Sequence, residues 1–399
     1  MKKDLLIFTP AILFGMYWAM VKVALPIVSF LPSYFGTSSA TIQQIFSIAF
    51  FLSGCFPIFW GPLIDNFELK NFILMNGIIF IGISVILSFS TNIYMFAIFF
   101  ITACSLTSAF VVVGRAFPFV YLEGKTSVQK ALTYGMFGGY FSAWVAPFVS
   151  GYLAEHVHWR SVFYIVPVLT IILIFIATKL PKQKQVTEKR TFLKNIITMF
   201  QHCKIQSFRN NVLILGLTSF FAQSVLISVP FWLTEAYVLQ PYIIGYILFP
   251  MLLPGMIGPL LNKFVYNKLS YKTVFYIGFV IFVLGGVSAI ILSVIILGMS
   301  ISYWWWVIPG SLANLAVISI YPVVSFLGYR DIKSGHNAAS SVFSLAVYCS
   351  GGIGIYFCSL ISIHTLYTFG ILMLIAITVA LLLFLQDYRN FRQEHATTS

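Results

Sequence analysis

Lys22 stands alone as a basic residue deep within an apolar segment that begins near Leu5 and meets Pro26 and Pro32. An ammonium in hydrocarbon is costly, so such a lysine either faces a polar cavity or snorkels its charge to the interface. In a cavity it would attract an anionic or carbonyl-bearing ligand, and it is a candidate to exchange a proton. Gln223 and Asn314 also lie within apolar stretches, where an amide hydrogen-bonds either a solute or a neighbouring helix. All ten carboxylates, from Asp4 to Glu394, fall in termini, loops or expected helix ends, so no acid is placed to alternate its charge inside a span. His156 and His158 adjoin Trp159 and the remaining histidines are isolated, which gives no metal-ligand spacing. No Gly-Lys-Ser/Thr phosphate loop occurs, which argues against ATP as an energy source. Of five cysteines, Cys55, Cys104, Cys349 and Cys358 sit in hydrophobic segments and Cys203 in a basic run; they read as packing residues. Neither an enzyme nor a cofactor is expected, and an ion or proton gradient is a candidate energy source.

The elements that must position these residues are apolar helices. Of 399 residues, 60% are hydrophobic and 8% charged, and the mean hydropathy is +0.96, a composition suited to a polytopic membrane protein. A bilayer core needs about 20 apolar residues per helix. Expected spans start near Leu5, Ile42, Phe72, Tyr94, Ala131 and Val162, then near Val212, Tyr242, Thr273, Ser302, Ala338 and Leu366. A polar run from Lys179 to Arg209 divides them, giving expected units at 1–178, 179–210 and 211–399. The net charge of +13 is not spread as a nucleic-acid patch would be. It falls in alternate loops, at Lys70, Arg115 to Lys130, the central run, Lys263 to Lys272 and Arg330. The positive-inside rule then places both termini and the central run in the cytoplasm, with a bacterial inner membrane as the expected location.

Two stretches carry a family resemblance. Gly61, Leu63, Asp65 and Lys70 are similar to the loop signature Gly-x-Leu-x-Asp-Arg-x-Gly-Arg-Arg of the major facilitator superfamily, with departures at Asn66, Glu68 and Leu69. Ala131 to Phe163 holds Gly135, Gly138, Gly139, Pro147 and Gly151 and then Trp159-Arg160-x-x-Phe163. It resembles the signature of the drug/proton antiporters of that superfamily. Ser228-Val229-Pro230-Phe231, Glu235, Pro241, Gly245 and Leu261-Asn262 are similar to their bicyclomycin and chloramphenicol resistance branch. Gly351, Gly352 and Gly354 repeat the small-residue character in the eleventh span.

The resemblance implies an all-α major facilitator fold of twelve transmembrane helices in two pseudo-symmetric six-helix bundles, and an exporter working by alternating access. It places Lys22 where relatives carry an aspartate and Phe100 where antiporters carry an arginine. That reversal of charge points to an anionic, zwitterionic or neutral solute rather than a cationic drug. Lys22, Gln223 and Asn314 are the expected solute residues. Asp65, Lys70, Arg115, Gly135, Gly139, Pro147, Gly151, Gly351 and Gly352 are the expected gating set, with Asp65 facing the start of the eleventh span in one conformation. Arg115 most simply anchors its helix end at the interface. An organic-anion importer or uniporter is the alternative, and a non-transporting receptor or scaffold the second. The expected partners are a small solute and lipid, with a monomer and no nucleic acid or obligate protein.

Overall fold

The computed structural model describes residues 3–65, 67–181, 192–237, 239–266, 269–298, 302–332, 336–361 and 366–397. These form α1 (Lys3–Val23), α2 (Leu31–Phe35), α3 (Ser39–Cys55), α4 (Pro57–Asp65), α5 (Leu69–Ser88), α6 (Ile93–Tyr121), α7 (Lys125–His156) and α8 (Ile165–Thr178). After the central run come α9 (Phe192–Cys203), α10 (Gln206–Ala236), α11 (Pro241–Tyr266), α12 (Tyr271–Gly298), α13 (Val307–Tyr329), α14 (His336–Cys358) and α15 (Leu366–Thr397). The protein is a multi-pass, all-α membrane protein.

Among the described residues ten helices are long and apolar enough to cross a bilayer, which corrects the expected twelve spans in two six-helix bundles. The difference lies in α7 and α11. At 32 residues α7 is long enough, but its glycines, serines, tyrosines and threonines dilute its apolar character. For α11 the described apolar stretch is the shorter Pro241–Ile257.

Local chemistry sets the helix ends. As expected from the prolines, α1 stops at Val23, Pro26 opens a short 3-10 turn, Pro32 lies at the start of α2, and Gly36 ends it with φ of 62°. Only glycine adopts that left-handed conformation readily. Ser38 and Asn92 cap α3 and α6 by accepting from the Thr41 and Met95 amides at 3.1 and 2.8 Å, satisfying otherwise orphaned donors. Lys70 Nζ donates to the Thr178 and Leu180 carbonyls at 3.0 and 3.2 Å, placing a cation on the negative end of α8.

That contact puts the start of α5 beside the end of α8. Asn211 Nδ2 donates to Asp387 Oδ2 at 3.0 Å, and Ser207 to Asp331, which adds the start of α10, the end of α13 and the Asp387 turn of α15. This end of the molecule is the basic face, and the other end the far face. Trp306 is buried beside Trp232, with ring centroids 6.1 Å apart, whereas Trp304 and Trp305 are exposed. Two of the three expected belt tryptophans are therefore at the surface, and the third is a core anchor.

Helix contacts recur across the central run. Before it, α7 lies parallel to α1, with Gly138 so close that an added Cβ would fall 2.6 Å from Ala11 Cα. After it, α14 lies parallel to α10, with Gly354 against Phe220 and Ser224. Two antiparallel pairs join the two parts of the chain. In α3 and α14, Ser47 Oγ donates to Gly352 O at 2.8 Å, and an added Cβ on Gly352 would meet Phe51 N at 2.8 Å. In α7 and α11, an added Cβ on Gly151 would meet Pro241 O at 2.9 Å, and one on Gly245 would meet Pro147 O at 2.7 Å. Without a hydrophobic drive between helices in lipid, such small-residue contacts supply close van der Waals packing.

Candidate functional site

Between these pairs lies a cavity of about 350 Å³ with walls from α1, α6, α7, α10, α13 and α14. That is within the range of small-molecule sites. Each wall helix presents residues about one turn apart, as a helical face must: Phe14 and Trp18, Val111 and Arg115, Ser219 and Gln223, Ser340 and Ser344.

Arg115 is the one charged side chain in the wall among the described residues. Its Nη1 donates to Ser340 Oγ at 3.0 Å and Ser344 Oγ at 3.2 Å. The guanidinium therefore joins α6 to α14 at the cavity end nearest the basic face. Nη1 serves both serines, and Nε and Nη2 make no hydrogen bond to protein among the described residues. That fork of donors suits a carboxylate or phosphate.

Deeper in, aromatic rings close the cavity. Tyr348 lies 5.3 Å from Tyr17, 6.0 Å from Trp18 and 5.5 Å from Phe50 between ring centroids. Tyr140 and Tyr321 complete this lining. Toward the far face the parts are tied by Gln43 Nε2 donating to Ser228 Oγ at 2.5 Å, Trp144 Nε1 to Phe249 O at 3.0 Å, and the glycine seam of α7 and α11.

The expected solute residues divide. Gln223 and Asn314 both reach the cavity. Asn314 Nδ2 donates to Met251 O at 3.3 Å, while Gln223 Oε1 is buried without a partner among the described residues. Lys22 is not in the wall. It lies one turn past Trp18 on α1, about 6 Å further along, 1% exposed and with no hydrogen-bond partner for Nζ among the described residues. Its buried position does not fit the snorkelling alternative.

Of the expected gating residues, Pro147 and Gly151 meet α11, and Gly351 and Gly352 meet Phe50 and Phe51 of α3. Gly135 and Gly139 instead pack on Phe14, Pro10 and Trp18 of α1, so they bind helices within one part of the chain. Lys70 likewise ties α5 to α8. The Asp65 side chain lies outside the described residues. Phe100, at the position of the antiporter arginine, is core, stacked on Phe96 at 5.5 Å. Sequence reasoning missed Arg115 as a cavity residue. The spacing of Arg115 from Val111 was the available signal, but a helix-end arginine reads as readily as an interface anchor.

A family model described as Major Facilitator Superfamily matches residues 8–355. No curated protein sequence matches the chain. Among solved structures, that of the POT family transporter PepTSo superposes with a TM-score of 0.70 at 12% identity, covering 96% of this chain and 98% of that one. At that identity the likeness shows the fold alone. It is to a POT family transporter and lends the drug/proton antiporter branch no support, and the expectation of an exporter is corrected accordingly. The α7 glycines that suggested export are engaged in packing against α1 and α11, contacts that a carrier working in either direction can use.

Proposed function

The chain belongs to the Major Facilitator Superfamily, and on that premise we propose that it carries a small organic anion through the cavity as an importer or uniporter. The observation that carries this reading is Arg115, the one charge in the described wall. A half-buried guanidinium with no carboxylate in the described wall repels cations and receives an anion by paired hydrogen bonds. Gln223 and Asn314 supply neutral polar contacts. Lys22, just beyond the Trp18 and Tyr348 rings, stands where a solute would pass once the far face opens.

The units 1–178 and 211–399 would rock about the cavity, parting at Pro147, Gly151, Gly351 and Gly352, while Gly135, Gly139 and Lys70 hold helices within one unit. The distribution of Lys and Arg supports a cytoplasmic basic face in a bacterial inner membrane. The likeness of α7 to the antiporter branch fits a shared scaffold.

The test is uptake of a panel of radiolabelled organic anions and cations into proteoliposomes, with and without a proton gradient. Saturable uptake of an anion, reduced at least about tenfold in Arg115→Gln, is expected. Transport of cations alone, or anion uptake indifferent to Arg115, would overturn the reading.

A further inference from the structure

We infer that α9 is an interfacial helix whose partner is the anionic surface of the lipid leaflet at the basic face. This concerns the central run and is independent of what the cavity carries. Successive side chains of an α-helix lie about 100° apart around its axis. Met199 and His202 are buried and Ile196 and Cys203 half-buried, so one side of α9 lies on the protein, where it packs against α4, α10 and α14. Phe200 is about 100° round from Met199, and Ile197 about 160° round in the same sense; they are 69% and 49% exposed. Gln201, also exposed, is about 200° round, and the half-buried Thr198 about 260°. The described part of α9 therefore has three sides: one on the protein, one apolar and exposed, and one polar.

That order suits a helix lying in the plane of a membrane surface, its apolar side at the acyl boundary and its polar side in water. The lipid-facing surface already reaches this end of the molecule. Helix α4, on which α9 packs, exposes Phe59 and Leu63. At the end of α8, Lys179 Nζ lies 4.1 Å from the centroid of the exposed Phe175 ring, an ammonium held at the interface by an apolar stem. The charge is complementary to acidic headgroups, since the run from Lys179 to Arg209 holds eight Lys and Arg against Glu188 alone. Lys204, in the link from α9 to α10, and Arg209, at the start of α10, are both exposed. Cations beside an amphipathic helix hold it to an anionic leaflet. Because α4 precedes the central run while α10 and α14 follow it, the helix that meets the lipid also meets both parts of the chain.

The test uses the full chain in liposomes of phosphatidylcholine with or without phosphatidylglycerol. A Cys203→Ser background carries Ile197→Cys, Phe200→Cys or Gln201→Cys, labelled with a nitrobenzoxadiazole dye, and the signal of the background alone is subtracted. All three positions are exposed, so each variant keeps the packing of α9, which an unchanged size-exclusion profile checks. Brominated phosphatidylcholine is expected to quench the dye at 197 and 200 at least about twofold more than at 201, and aqueous iodide to do the reverse. Phosphatidylglycerol should raise the lipid quenching at 200 by about twofold or more at low salt, and Lys204→Gln with Arg209→Gln should remove that rise. Iodide quenching at 197 and 200 equal to that at 201 would overturn the inference, as would lipid quenching that phosphatidylglycerol leaves unchanged. Protection of 197 and 200 from both quenchers would give that side to a protein partner and overturn it as well.

Discussion

A guanidinium facing a cavity does what an ammonium cannot, because one of its nitrogens holds two serines while the other two still present a fork to a ligand. Arg115→Lys keeps the charge but not the fork. It is expected to weaken anion binding by about threefold, against at least about tenfold in Arg115→Gln, as read by competition for uptake. Lys22 calls for the reverse expectation. A buried amine without an acceptor is destabilising, so Lys22→Met should raise the melting temperature in detergent by about 2 °C or more; a fall would mean that Nζ has an acceptor in solution. Asp331 gives a pH prediction. Burial raises its pKa, but hydrogen bonds from Arg330 and Ser207 and the Arg330 charge outweigh this, leaving it below the ordinary 3.8. With the folded value depressed, its stabilisation is full above the unfolded value and lost as pH falls through the folded one. The melting difference between wild type and Asp331→Asn should therefore be present at pH 7 and vanish well below pH 3.8; a difference unchanged at low pH would contradict it. At this scale the sequence was only partly legible. Gln223 and Asn314 stood out as amides among apolar neighbours and do reach the cavity. Lys22 stood out just as clearly but lies a turn beyond it, because a single turn of helix decides which cross-chain neighbours a side chain meets.

Helices here are positioned by what their glycines touch. Gly138→Val would push a branched side chain into the Ala11 backbone and is expected to abolish the folded, monodisperse protein. Gly82→Val, where nothing lies within 4 Å of an added Cβ, should leave size-exclusion profile and yield unchanged. Gly245→Ala adds one methyl facing Pro147 O. It should loosen the α7 and α11 seam, raising labelling of far-face cysteines introduced there without unfolding the protein; labelling equal to the parent would contradict that role. The small-residue pattern of α7 was legible as close packing, but its partners were not. Gly135 and Gly151 belong to one run of residues yet pack on α1 and α11 respectively. The span count failed for a related reason, since the small and polar residues that let α7 pack closely also lower the hydropathy by which a crossing is recognised.

For the molecule as a whole, a six-plus-six reading followed from regular apolar runs around a basic connector, and the all-α membrane architecture agrees with it while the number of apolar spans does not. What no composition could disclose is how the parts meet. Cys55 and Cys349, one on each side of the central run, have sulfurs 3.7 Å apart. Oxidising them to a disulfide with copper phenanthroline should stop transport, and dithiothreitol should restore it, with Cys349→Ser immune; full transport by the cross-linked protein would exclude relative motion of α3 and α14. The two ends of the cavity are also closed by different forces. Toward the far face the seam is made of backbone, ring and amide contacts, whereas hydrogen bonds from one guanidinium nitrogen to two serine hydroxyls join α6 to α14 near the basic face. Part-buried bonds of about 3 Å lie well inside the distance over which electrolyte screens. Inert salt on either side of a vesicle should therefore leave opening unchanged, while an anion that draws the guanidinium off its serines loosens the basic end alone, so that the solute content of one compartment sets the bias of the cycle.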